Sequence, residues 1–267
     1  MTDKITIISS VFGNLPIVKE CMDSWFPLPE NWELIVYNND ASKVDGTTEY
    51  VREMSKKHSF KLLEDGENRV HSKAIDLMLK HVTTEWVLHF DSDVLILNRD
   101  FYQWVKNAIQ KKYTVWAVKE ALDIGHRWKT EKQFKNNLRT SSKIQNLFVN
   151  YDEFYLPRIH QCVVLFNFEF LKMMDINFDN IAMVANCEYG PLLRHRQNKK
   201  IERDTKITIF GDTGWQLYWE ADPLGLYCNI PEEIRNCFRH KFNSSCSWIH
   251  QNQKTLNELY PGHSYFF

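Results

Sequence analysis

Apolar and polar positions follow two alternating rhythms over the first 120 residues. Ile5-Thr6-Ile7-Ile8-Ser9-Ser10-Val11 is an apolar run of strand length. Asn14 is then placed to cap a helix, with Pro16 in its first turn and Ile17, Val18, Cys21, Met22 and Trp25 on one face. Trp32 to Tyr37 reads as a second strand and ends in the polar cluster Asn38-Asn39-Asp40-Ala41-Ser42. Helical spacing returns from Thr47 to His58, followed by a short strand pattern from Phe60 to Leu63. From His71 to His81, Ala74, Ile75, Met78 and Leu79 share a helical face. Trp86-Val87-Leu88-His89-Phe90 is a further strand, and it runs into Asp91-Ser92-Asp93. Alternation of this kind predicts an α/β fold with a mostly parallel sheet flanked by helices.

The second half is less regular. Tyr113 to Val118, Gln161 to Phe166 and Lys206 to Phe210 read as strands, and Phe168 to Met174 and Trp215 to Ala221 as helices. Trp215, Tyr218 and Trp219 lie at helical spacing, which assigns at least two of them to the core rather than to stacking on a sugar. Residues 126–148 read as a basic helix, and the tail from Pro231 as irregular. With neither repeats nor a linker, the chain reads as one domain with two parts, 1–120 and 121–267.

Composition narrows the class. A chain of 267 residues that is 43% hydrophobic has enough apolar material for a large core. A formal net charge of −1 gives the chain as a whole no attraction to nucleic acid or to a membrane surface. No apolar stretch approaches the length of a membrane span, and the N-terminus runs straight into a strand pattern without a signal peptide. The six cysteines are scattered, with no Cys-x-x-Cys pair, so they are expected to be reduced and not to hold structural zinc. These features point to the cytosol of a bacterium or of a phage-infected host.

In open α/β sheets, ligands bind beyond the carboxyl ends of the strands. Ser9 and Ser10, Asn38 to Asp40, and Asp91 to Asp93 all occupy such ends, so three polar clusters converge on one edge. Two carboxylates one residue apart can hold a divalent ion against a diphosphate, and oxygen ligands favour Mg²⁺ or Mn²⁺. Asp-x-Asp is a weak signal alone; its position gives it weight.

The same segments carry a resemblance. The opening Ile7-Ile8-Ser9-Ser10-Val11-Phe12-Gly13-Asn14, then Asn39-Asp40-Ala41-Ser42, then Asn68-Arg69-Val70-His71-Ser72-Lys73-Ala74-Ile75-Asp76, then Trp86 to Asp93 match in order. Together they resemble the nucleotide-sugar half of a GT-A fold glycosyltransferase of the family-2-like group. Asn39, Ala41 and Val70 stand where that family often has Asp, Gly and Gly, which leaves the nucleotide open.

The resemblance implies a metal-dependent transfer of a sugar from a nucleotide diphosphate, UDP above all, to an acceptor hydroxyl, with inversion. It implies Asp93 as the metal ligand, and Asp91 on the ribose or the ion. Asp40 would read the base, and Ser10 would offer a group to the nucleotide. Arg69, His71 and Lys73 form a basic cluster for the base or a phosphate, or else a solvated helix start. Relatives supply a late histidine to the ion; His250 is the first candidate and His240 competes, while Arg239 and Lys241 are placed to grip the diphosphate. Asp212, after an apolar strand, is the candidate catalytic base or an ordinary helix N-cap, with Glu188 in reserve. His160 and Gln161 open a strand facing the same cleft.

The acceptor is expected to be a glycan, a lipid-linked saccharide or a hydroxymethylated DNA base. Two basic stretches bear on that choice. One contains Arg127, Lys129, Lys132, Lys135, Arg139 and Lys143, and the other Arg194, His195, Arg196, Lys199, Lys200 and Arg203. They are either solvated faces or the lining of a channel for an anionic acceptor, with Trp128 and Phe134 able to stack on an extruded base. A phage-type DNA glycosyltransferase is the nearest alternative. A nucleotidyltransferase would want a Gly-rich, basic loop after the first strand, which this chain lacks. A non-catalytic binding module is the third possibility.

Overall fold

The computed structural model describes residues 4–39, 45–69, 71–119, 153–155, 159–178, 182–185, 194–195, 208–211 and 215–241. Parallel strands β1 (Ile5–Val11), β2 (Glu33–Asn38), β3 (Lys61–Leu63) and β4 (Trp86–Phe90) make one side of a seven-stranded sheet, in the order β4-β1-β2-β3. Beyond β4 lie β8 (Ile159–Asn167), β6 (Val115–Lys119) and β12 (Tyr227–Asn229). β8 runs antiparallel to both β4 and β6, so the expected mostly parallel sheet has one reversed strand near its middle. Strands from both parts of the chain thus share one sheet.

Strand alternation divides the core into two. Ile5 and Ile7, Leu34 and Val36, and Trp86, Leu88 and Phe90 face a cluster with α1 (Leu15–Trp25), α2 (Thr47–His58) and α4 (Asp100–Ala108). Ile8, Ile35, Tyr37 and Val87 face the opposite cluster. That side is covered by α3 (His71–Leu79), α5 (Phe168–Met173) and α6 (Trp215–Ala221). Tyr218, one of the three aromatics of which at least two are expected in the core, is buried there. The side chains of Trp215 and Trp219 lie outside the described residues.

Helix α1 starts differently from the expectation. Asn14 takes the cap position in the left-handed region, but its side chain does not cap the helix. The carboxylate of Asp45 accepts from Leu15 N at 3.2 Å instead, and its other oxygen accepts from Thr47 N at 2.9 Å. One side chain therefore meets the first turns of both α1 and α2, where unpaired N–H groups gather.

The tail from Pro231 is not irregular throughout. It forms α7 (Glu232–Arg235) and β13 (Phe238–His240), and β13 pairs antiparallel with β5 (Val94–Ile96) as a two-stranded ribbon. Burial of Cys237 and Phe238 holds the segment down, and a partner distant in sequence supplies its backbone hydrogen bonds. A second, four-stranded sheet comes from the later part of the chain, in the order β10 (Arg194–His195), β9 (Ala182–Ala185), β11 (Thr208–Gly211) and β7 (Glu153–Tyr155). Among the described residues, no helix is long and apolar enough to cross a membrane.

Candidate active site

The carboxyl ends of β1, β2 and β4 meet at one edge of the sheet, joined by the start of the reversed strand β8. Past Phe90, Asp91 N donates to the Cys162 carbonyl at 3.0 Å, and Val94 N donates back to the Asp91 carbonyl at 3.1 Å. Asp91-Ser92-Asp93 is therefore a closed turn between β4 and β5. The β5–β13 register sets His240 opposite Val94, beside that turn. His240 Nε2 stands 3.0 Å from Asp93 Oδ1 and 3.8 Å from Asp91 Oδ2. Burial lowers the pKa of His240, but the hydrogen bond to Asp93 and the charges of Asp93 and Asp91 outweigh it and hold it above the usual value.

A second pair of imidazoles flanks Asp91. His71, at the start of α3, places Nε2 3.4 Å from Asp91 Oδ1, and its Nδ1 is 3.1 Å from Ser10 Oγ. His89 occupies the Val87 column of β4 and so points to the α3 side, where its ring meets that of His71 edge-on at 5.3 Å. It is fully buried, with Nδ1 2.8 Å from the Gln161 carbonyl and Nε2 3.8 Å from Asp91 Oδ1. Burial pushes its pKa down to about 4 and keeps the ring neutral, against the opposing pull of Asp91.

Of the basic cluster, His71 alone is seen to reach the carboxylates. The Arg69 guanidinium pairs with Asp65, Nε to Oδ2 at 3.0 Å, and Asp65 also accepts from the buried Tyr37 hydroxyl at 2.6 Å. Lys73 lies in the first turn of α3, half-buried. Asn39 accepts from Arg69 N at 2.6 Å and so ties the end of β2 to the loop before α3. Lys241 pairs with Glu20, and its backbone N–H donates to the Asp93 carbonyl at 3.0 Å. His160 and Gln161 sit at the same edge, and the His160 and His240 rings are 5.0 Å apart. Burial raises the pKa of the neighbouring Cys162, with the charge of Asp91 adding to it.

Asp40, Glu188, Asp212 and His250 lie outside the described residues, as do both basic stretches apart from the backbone of Arg194 and His195. His89 carried a signal that sequence reasoning passed over: one imidazole in an otherwise apolar, buried strand. His240 was second choice to His250, because nothing local in Phe238-Arg239-His240 announces its pairing with β5.

Two carboxylates and one imidazole, with ligand atoms within 4.8 Å of one another, suit a divalent ion, and a cation offsets the charge gathered there. The sequence model described as glycosyl transferase family 2 matches residues 6–172. The chain belongs to glycosyl transferase family 2. Its members are glycosyltransferase enzymes, and the matched span contains the whole strand–helix series from β1 to α5 apart from their outermost residues.

Solved structures similar to this family 2 chain include a mannosyltransferase from Pyrobaculum calidifontis in complex with GDP-Man and Mn²⁺. It is 22% identical, with 65% of this chain and 47% of that one covered and a TM-score of 0.45. TarS 1-349 of S. aureus in complex with UDP-GlcNAc is 16% identical, with 86% and 59% covered and a TM-score of 0.44. Glucosyl-3-phosphoglycerate synthase from Mycobacterium tuberculosis, with Mn²⁺, UDP and phosphoglyceric acid, is 13% identical, with 96% and 77% covered and a TM-score of 0.47. The chain spans about half the length of the mannosyltransferase. No curated protein matches it.

Proposed function

We propose that this chain transfers a sugar from a nucleoside-diphosphate donor, UDP-linked, to an acceptor hydroxyl with inversion at the sugar. The observation that carries this reading is the meeting of Asp91, Asp93 and His240 at the carboxyl end of β4. These three would hold Mn²⁺ or Mg²⁺, with His250 as the alternative third ligand. When bound, the ion neutralises the departing diphosphate.

The remaining work falls to the chain itself. Asp93 is fixed by His240 and turned inward, while Asp91 faces the nucleotide side beside His71 and Ser10. Asp40 reads the base, and residues 1–120 form the donor half. Asp212, with Glu188 in reserve, takes the proton of the acceptor hydroxyl as its oxygen attacks the anomeric carbon. The bond to the diphosphate breaks on the opposite face. Residues 121–267 form the acceptor half, and their basic stretches favour an anionic acceptor: a phosphorylated lipid-linked saccharide, an acidic glycan or hydroxymethylated DNA. The reaction belongs in the cytosol, where nucleotide sugars are made.

The test is a screen of UDP-, GDP- and TDP-sugars for hydrolysis with and without Mn²⁺, repeated with glycan acceptors and with hydroxymethylated DNA. Mn²⁺-dependent release of nucleotide, abolished by Asp93→Ala, is expected. Full activity of Asp93→Ala would refute the metal assignment. Binding of a donor with no turnover on any acceptor would favour a non-catalytic module.

A further inference from the structure

We infer that His71, His89 and Asp91 form a second metal site, for a nitrogen-preferring transition ion such as Zn²⁺ or Co²⁺, and that Asp91 is shared between the two sites. The starting observation is a pair of buried atoms. Nε2 of His71 and Nε2 of His89 are both shielded from water and lack a hydrogen-bond partner among the described residues. A buried polar atom left unsatisfied is costly and rare, and here two face the same carboxylate oxygen.

The other ring nitrogens explain why. The Gln161 carbonyl can only accept, so His89 Nδ1 carries the proton and Nε2 of the neutral ring presents a lone pair. That lone pair looks across 3.8 Å toward Asp91 Oδ1. No hydrogen bond closes that gap, and a cation between the two atoms would engage both. His71 Nδ1 is likewise engaged, by Ser10 Oγ. An outer hydrogen bond on one ring nitrogen with the other left for the ion is the usual arrangement of a metal-binding histidine.

Spacing agrees. Tetrahedral nitrogen and oxygen ligands at zinc bond lengths stand about 3.4 Å from one another. His71 Nε2 and His89 Nε2 are 3.4 and 3.8 Å from Asp91 Oδ1, and the set lies within 4.8 Å throughout. The carboxylate of Asp91 is divided: Oδ1 faces the two imidazoles, while Oδ2 faces His240. The two sites also differ in chemistry. Two imidazoles and a carboxylate favour Zn²⁺ or Co²⁺, whereas two carboxylates and one imidazole accept Mn²⁺ or Mg²⁺.

The experiment is a titration of the metal-stripped full chain with Co²⁺ in excess Mg²⁺, read by visible absorption of the cobalt. One equivalent of Co²⁺ that resists Mg²⁺ is expected. Its affinity should fall about tenfold or more in His89→Gln and in His71→Asn, and stay near wild type in His240→Ala. Thermal melts check each variant, and the half-exposed His71→Asn carries the test if the buried His89→Gln does not fold. No Co²⁺ uptake against Mg²⁺, affinity unchanged in His71→Asn, or loss confined to His240→Ala would each overturn the inference. The readout is binding alone, so it stands or falls apart from glycosyl transfer.

Discussion

His240 Nε2 lies 3.0 Å from Asp93 Oδ1, although more than half of the chain runs between them. The contact depends on one piece of register, His240 opposite Val94 in the β5–β13 ribbon. Replacing His240 with Ala should leave the fold intact, since the side chain hangs from a ribbon outside the main sheet. Mn²⁺ affinity should fall about tenfold or more, as measured by isothermal titration. An unchanged affinity would remove His240 from the ligand set and return His250 to first place.

Trp25 reaches the same turn from the other side. Its indole N–H donates to the Val94 carbonyl at 2.8 Å, within the buried core. Trp25→Phe keeps an aromatic ring but leaves that carbonyl without its donor and a gap beside Phe90, whose ring is 5.6 Å away. A loss of about 2 kcal/mol is expected in denaturant unfolding. A variant as stable as wild type would mean that the Trp25–Val94 bond adds nothing to the hold on β5.

Asp45 caps two helices at once, so its removal should cost more than an ordinary cap. Asp45→Ala should destabilise by about 2 kcal/mol, and Asp45→Asn by less, because the amide oxygen still accepts. Chemical denaturation of the three proteins side by side gives the order. Equal stability of Asp45→Ala and wild type would contradict the double cap.

Asp65 gives an acid-dependent stability. Burial raises its pKa, but the hydrogen bonds from Tyr37, Arg69 and Glu67 N and the charge of Arg69 together bring it below the usual carboxylate value. A group whose folded pKa is depressed stabilises above its unfolded value, and the contribution fades as pH falls through the folded one. Wild type should therefore lose stability more steeply than Asp65→Asn below about pH 4. Parallel acid limbs in unfolding midpoints would show that Asp65 is not responsible.

Much of the fold of the first 120 residues was legible in advance. β1, β2, β4 and the helices between them follow from apolar spacing, because each of these elements buries a face that its own periodicity marks. Asp91 and Asp93 were expected at a strand end and are found there. Helix α3 ends at Leu79 rather than His81, where turn hydrogen bonds take over. The tail was misread from Pro231 because β13 has only three residues and its partner is β5, far upstream.

The sequence by itself determined an α/β chain with polar clusters at the carboxyl ends of its strands, and the order of segments that resembles family 2. Local periodicity is enough for that, since it records which face of each element meets the core. Tertiary structure alone decided that β8 runs in reverse between β4 and β6, that Asp45 rather than Asn14 meets the first turn of α1, and that His240, His71 and His89 gather around Asp91 and Asp93. Each of these joins residues from distant segments, and the pairing register and packing that bring such segments together leave no mark on the spacing of either one.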